Sequence, residues 1–352
     1  MKVYESAFFR LYMSSENRDS LESEDSDSVS NLLPKINNLV NGEKNAYVVG
    51  RLISRGKFGG VYEVLRRKDG KKFALKLELL IYKNNCIHVE YKLLKLSLKN
   101  DLKRIPKLVD RGNIAGHFKF VVMDLLDQNL SELRHQFVEL RFSTSTALRL
   151  ALETLECIEE VHQNNFIHRD IKPSNFVIKK QNNKVYVYII DFGLCKAYNR
   201  EKFVQEYSND PEKVDRKTTH FNGTIRYASL AAHNFQDQSP KDDIESWMYM
   251  IIEMMNGNLP WGTCVQNDKQ QVLELKMKYR HQEHIGHLLK NCPKTEFFRI
   301  FDYLSKLNFL SQIDYSYIRG LLNLAIKNNN INIDEPYDWE EGSESWKASY
   351  KS

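Results

Sequence analysis

Between residues 47 and 80 the apolar positions come in short β-branched and aromatic runs, and Asp69-Gly70 falls between two of them as a hairpin turn pair. An antiparallel meander is expected there. Residues 86–99 have a helical pattern, and strand-like runs follow at 107–110 and 118–125, so this part reads as a small sheet with one helix. The character then changes. Ser143 and Thr144 are good N-caps for a long helix whose Leu148, Leu152, Leu155 and Ile158 recur at three- and four-residue steps. More helices are predicted over 242–256, 269–279, 296–307 and 315–327, with no internal repeat. A sheet-rich part followed by a helix-rich part predicts an α+β chain in two lobes joined near 124–127.

Composition alters this picture mainly at the N-terminus. At 352 residues and 42 % hydrophobic content the chain can build a sizeable core. Residues 14–30, however, carry six acidic residues and one Arg with almost no large apolar side chain. Such a segment cannot offset its ordering entropy and is expected to be a disordered tail. The fold is expected to begin near Tyr47, leaving residues 1–46 as an N-terminal extension. The net charge of +5 leaves +10 outside this segment, which suits acidic or phosphate-bearing ligands, although a lysine-rich face is equally often only solvated.

The longest apolar run, 247–255, is interrupted by Glu253 and is far short of the roughly 20 residues that span a bilayer, so no membrane insertion is expected. Glu5 and Arg10 break up residues 1–13, and no secretory signal core is expected either. Cys86, Cys157, Cys195, Cys264 and Cys292 are scattered without metal-ligand spacing, which fits reduced thiols in the cytoplasm or nucleus.

The most specific feature is His168-Arg169-Asp170-Ile171-Lys172-Pro173-Ser174-Asn175, followed after two strand-like runs by Asp191-Phe192-Gly193. Together they resemble the catalytic loop and metal-binding signature of protein kinases. Phosphoryl transfer needs a carboxylate beside the attacking hydroxyl and oxygen ligands for Mg²⁺. Asp170 is placed for the first task, and Asn175 and Asp191 for the second. Lys172 suits the charge that spreads over the transferred phosphoryl oxygens, and a lysine here is similar to serine/threonine rather than tyrosine kinases. Taken singly, Asp170 and Asn175 would pass for turn caps and Asp191 for a turn start.

Upstream, Ser54-Arg55-Gly56-Lys57-Phe58-Gly59-Gly60-Val61 lies between strand-like runs, as a phosphate-covering hairpin should, although Ser54 replaces the first glycine of the G-x-G-x-x-G-x-V pattern. An ordinary glycine-rich turn would read the same way. Lys76, in Phe73-Ala74-Leu75-Lys76, falls on the third strand and Glu90 on the following helix, the order expected of a lysine oriented by a glutamate toward the α- and β-phosphates. Asp243 looks like the buried aspartate with which kinases tie down the catalytic-loop backbone; a helix N-terminal charge would look the same.

The chain resembles the casein kinase I group over about 47–341. In place of Ala-Pro-Glu it carries Gly223-Thr224-Ile225-Arg226-Tyr227-Ala228-Ser229, then Asp242-Asp243-Ile244-Glu245-Ser246 and Leu259-Pro260-Trp261. Ser174 and the terminal Tyr337-Asp338-Trp339-Glu340 are similar to the tau-tubulin kinase family or a divergent casein kinase I-like branch. The resemblance implies a bilobal kinase fold with an antiparallel-sheet N-lobe over about 47–123, a hinge at 124–127, a helical C-lobe over 128–341 and a short tail at 342–352. It implies ATP contacts at Ile53, Ser54, Gly56, Gly59, Val61, Ala74 and Lys76, with Met123 at the back of the adenine pocket and the hinge residues Asp124, Leu125 and Leu126 beside the base. Read plainly, 118–126 is a buried strand, which is compatible.

The same resemblance implies ATP and Mg²⁺ as cofactors, and acidic, primed or cytoskeleton-associated proteins as substrates of a monomer that binds no nucleic acid. Arg226 is similar to the group's anion-binding arginine, with a structural ion pair as the alternative. Thr218 and Thr219 are available in the activation segment, but relatives of this kind are commonly active without phosphorylation there. The serines within 14–30 are expected autophosphorylation sites. Two other readings are a pseudokinase scaffold, motivated by Ser54, and a non-catalytic interaction module. A small-molecule kinase is disfavoured by 223–229.

Overall fold

The computed structural model describes residues 32–56, 58–82, 86–182, 184–207, 220–264 and 268–344. The acidic segment 14–30 and the activation-segment threonines Thr218 and Thr219 lie outside them. The chain divides into two compact units: one formed by the described residues up to 82 together with Val109–Val122, the other by most of Asn85–Leu108 and of the chain from Met123 onward.

The first unit is built on a six-stranded sheet of order β1-β2-β3-β4-β6-β5, comprising β1 (Leu39–Asn41), β2 (Ala46–Gly56), β3 (Gly59–Arg66), β4 (Lys72–Leu79), β5 (Leu108–Ile114) and β6 (Phe118–Asp124). Alternation along the strands sends Tyr62, Val64, Leu75 and Leu77 into a core shared with Tyr47, Val49, Phe118, Phe120 and Val122. Lys76, between Leu75 and Leu77, takes the other face. The sheet starts before the Tyr47 expected from sequence: Leu39 pairs with Val48, and Val40, which is buried, pairs with Tyr47. A three-residue strand is too short to show a period of two, so the pattern carried no signal for it.

Among the described residues the second unit holds ten helices. They are α1 (Cys86–Asn100), α2 (Leu130–Arg134), α3 (Thr144–Gln163), α4 (Arg200–Tyr207), α5 (Leu230–His233), α6 (Pro240–Asn256), α7 (Lys269–Arg280), α8 (Ile285–Leu288), α9 (Lys294–Ser305) and α10 (Tyr315–Asn328). Two small hairpin-like pairings join them, β7 (Phe166–Ile167) with β10 (Lys196–Ala197) and β8 (Phe176–Gln181) with β9 (Lys184–Ile189). The helix that the sequence groups with the sheet, α1, packs in this unit against the turn Phe192–Leu194.

Helix α3 starts on Ser143, whose side chain accepts from Thr146 N at 3.1 Å. Its buried stripe meets α6, where Trp247 Nε1 donates to Thr154 Oγ1 at 2.9 Å. Helix α6 opens with Ser239 N donating to the Asp242 carboxylate at 2.8 Å and closes on Gly257 in the left-handed region at φ 84°. Residues 333–340 strap the start of α3. Asp338 accepts from Ser143 N at 2.6 Å and from Ser143 Oγ at 2.8 Å, while Arg149 donates to Glu335 O at 2.6 Å and lies 4.1 Å from the Tyr337 ring. No helix among the described residues is long and apolar enough to cross a membrane.

Candidate active site

The loop between β7 and β8 carries His168 through Asn175. The β8–β9 register, Phe176 opposite Ile189, puts the residues just outside the pair side by side, and Ile190 N donates to Asn175 O at 2.9 Å. Asn175 and Asp191 are thereby delivered to one place by the antiparallel geometry itself. Asp191 and Arg169 are both in the left-handed region at φ 66°, a conformation that costs a non-glycine residue energy and is found at functional turns.

The loop is fixed from below by Asp243. Its carboxylate accepts from His168 N at 2.6 Å and Arg169 N at 2.8 Å, as the sequence predicts. His162 Nε2 lies 2.8 Å from the same carboxylate. A carboxylate only accepts, so Nε2 carries a proton, and the Tyr315 hydroxyl meets Nδ1 on the other side of the ring. Burial pushes the Asp243 pKa up, but the bond from His162 and the nearby His168 backbone outweigh it and hold the group below its ordinary value. His162 and Tyr315 carry no sequence pattern that marks them; their role follows only from α3 and α10 meeting beside α6.

Asp170 is buried, and each carboxylate oxygen has a donor. Lys172 Nζ is 2.9 Å from Oδ2, Thr224 Oγ1 donates to Oδ1 at 2.7 Å, and Asn175 Nδ2 reaches Oδ2 at 3.3 Å. Lys172 Nζ also contacts Thr224 Oγ1 at 3.2 Å, closing a triangle. The carboxylate is thus held in one orientation beside a fixed cation, an arrangement able to take a proton from a hydroxyl and to neutralise charge next to it. Thr224 lies in a stretch that the sequence marks only by its family pattern, so its bond to Asp170 had no separate signal.

Asn175 Nδ2 is occupied by Asp170 O at 2.8 Å, which leaves the amide oxygen as the end that can meet a cation. With the Asp191 carboxylate this makes a hard, all-oxygen donor set of two side chains, which fits Mg²⁺, an ion that takes one or two protein ligands and completes its shell with water and phosphate. Glu90 is buried on α1, in the same unit. His168 Nε2 donates to Ile190 O at 3.0 Å and its ring meets Phe192 edge-on at 5.6 Å, tying the catalytic loop to the Asp191 turn.

The glycine-rich stretch is the β2–β3 hairpin. Ser54 pairs with Val61, and Val61 with Lys76 on β4, so the three form one transverse row. Ile53 is the extra residue of a bulge between Leu52 and Ser54. A Cβ on Gly59 would lie 2.0 Å from Leu77 O, so this position admits only glycine; no such demand arises at Ser54, whose pairing with Val61 is kept. Ala74, two residues before Lys76, shares its face. Met123 is buried at the end of β6, and Asp124 N donates to Lys107 O at 3.2 Å just before Leu126.

Arg226 does form an ion pair, with the fully buried Glu253, and donates to Gly262 O at 2.8 Å, with 35 % of its side chain exposed. Of the two roles weighed from sequence, this geometry displays the structural one.

The protein kinase domain family matches residues 47–333. A probable serine/threonine-protein kinase of Dictyostelium discoideum is 31 % identical over 300 residues, covering 84 % of this chain and 57 % of its own length. The chain therefore spans little more than half of that relative. Matched through both the hairpin that bears Lys76 and the loop that bears Asp170, it belongs to the protein kinase family.

Proposed function

We propose that the chain transfers the γ-phosphoryl group of ATP to serine and threonine hydroxyls of proteins, with Mg²⁺ as its metal. The observation that carries this reading is the triangle of Asp170, Lys172 and Thr224, which places a fixed carboxylate and a cation at one point. The Asp170 carboxylate accepts the proton of the substrate hydroxyl as its oxygen bonds to the γ-phosphorus and the bond to the bridging oxygen of ADP breaks. Lys172 neutralises the phosphoryl oxygens during this exchange. Asn175 and Asp191 hold the metal, which supplies the positive charge that keeps the triphosphate in line. Lys76 is assigned the α- and β-phosphates with Glu90 as its orienting partner, and Met123, Asp124 and Leu126 the adenine, on the match to the family pattern.

Within the kinases we place the chain in the casein kinase I group near the tau-tubulin kinases, on the strength of 223–229, Ser174 and 337–340. Acidic, primed or cytoskeleton-associated proteins are the substrates this implies, met by a monomer in the cytoplasm or nucleus. The basic body favours such partners. Arg226 shares its charge with Glu253, so its own pull on an anion is reduced.

The test is phosphate transfer from labelled ATP to casein and to the protein itself with Mg²⁺, comparing wild type with Asp170→Asn and Asp191→Asn. Transfer lost in both variants, by about 10²-fold or more for the base, supports the reading. A wild type that binds ATP but transfers nothing selects the scaffold alternative. That alternative was motivated by Ser54, and the regular pairing of Ser54 with Val61 gives it no support.

A further inference from the structure

Helix α7 has the polar sequence KQQVLELKMKYR, and its apolar Val272 stands four residues before Lys276 on the same face. A lysine therefore sits where a core residue belongs, and it is 0 % exposed. A buried ammonium is costly unless every donor is used. Here burial pushes the Lys276 pKa well down, and Nζ keeps two strong acceptors, donating to Ile225 O at 2.8 Å and Ala228 O at 2.7 Å, with His233 Nε2 at 3.1 Å. The rings of Tyr249 and Trp261 stand 5.0 and 5.5 Å away.

The two carbonyls belong to the segment that begins at Thr224, the partner of Asp170. Tyr227 N and Ala228 N both donate to Thr224 O at 2.9 Å, so 224–228 is a turn, and Trp261 Nε1 holds the intervening Arg226 O at 2.8 Å. Three carbonyls of one turn thus point inward onto side-chain donors. Thr224, the first residue of this turn, bonds Asp170, so the turn starts beside the carboxylate.

We propose that Lys276 is a positioning residue for the protein substrate, setting the backbone of 225–228 on which the residues flanking the phosphorylated hydroxyl rest. This builds on the kinase reading above. Lys276 touches neither Asp170 nor the metal-binding pair, so its loss acts on binding of the protein and not on ATP.

The experiment is steady-state phosphorylation of casein by wild type and Lys276→Met, alongside ATP hydrolysis without casein. The variant keeps an unbranched, flexible side chain one atom shorter and removes its donors. We expect the casein KM to rise on the order of tenfold, as for one or two lost buried hydrogen bonds, while the KM for ATP and the rate of hydrolysis are unchanged. An unchanged casein KM, or a fall in hydrolysis equal to the fall in casein transfer, overturns the inference. Should Lys276→Met not fold, His233→Leu decides: it removes the ring that lies 3.1 Å from Nζ, and a casein KM identical to wild type overturns the proposal. A wild type inactive toward casein and itself instead overturns the kinase reading, and the inference with it.

Discussion

The catalytic loop at 168–175 and the turn at 224–228 meet at Asp170, yet each is held by a buried side chain of opposite hydrogen-bonding sense, an acceptor for the loop and a donor for the turn. The loop offers two N–H groups to the Asp243 carboxylate, whereas the turn offers two carbonyls to the Lys276 amine, whose pKa burial pushes well down. In both cases one polar side chain, desolvated on a helix, fixes two backbone groups outside the strands and helices. Backbone polarity decides the partner: a loop with inward N–H groups calls for an acceptor, and one with inward carbonyls for a donor.

The largest effect should come from removing the anion. Asp243→Ala strands two N–H groups and the His162 Nε2–H, and we expect a loss of about 3–5 kcal/mol in denaturant unfolding, with phosphoryl transfer to every acceptor falling together. An equal loss confined to one protein substrate would erase the contrast with Lys276→Met.

The donor side can be probed by acid. Burial first, and then the charge of Lys276, push the His233 pKa down to about 4. Unfolded, the imidazole returns to about 6.5, so between these values the unfolded chain binds a proton that the folded one refuses. The stabilisation is complete above pH 6.5 and declines as the pH falls toward 4, by on the order of 3 kcal/mol at most. His233→Gln should flatten that slope in unfolding curves measured across this window; a slope that persists would mean that other groups produce it.

Tyr315→Phe removes only the hydroxyl that faces His162 and should cost about 1 kcal/mol in the unfolding midpoint, with the casein KM unchanged. The smallest effect is expected at Ser54→Gly. Because Ser54 already pairs in register with Val61, a glycine there should lower thermal stability by less than about 1 kcal/mol and leave the KM for ATP unaltered.

The acceptor of this pair was legible in the sequence and the donor was not. Asp243 stands in a run of residues with a family pattern, and its job could be named before the fold was known. Lys276 is one of three lysines in a polar helix, and nothing local distinguishes a buried lysine from a solvated one; only the packing of α7 on 225–228 does. Asp170, Asn175 and Asp191 were readable because their order and spacing are set by the loop and the β8–β9 hairpin. Thr224, His162 and Tyr315 act through tertiary contact and left no periodic trace. The motif Tyr337-Asp338-Trp339-Glu340 read as a family mark, whereas its physical task is to finish a helix almost two hundred positions earlier.

That last contact bears on how the molecule is made. Ser143 waits for Asp338 across a separation of 195 residues. At the usual pace of a ribosome, about 5–20 residues per second, the nascent chain spends roughly 10–40 s with the start of α3 lacking the residues that complete it. During that interval the surface later covered by the strap faces water instead of residues 333–340.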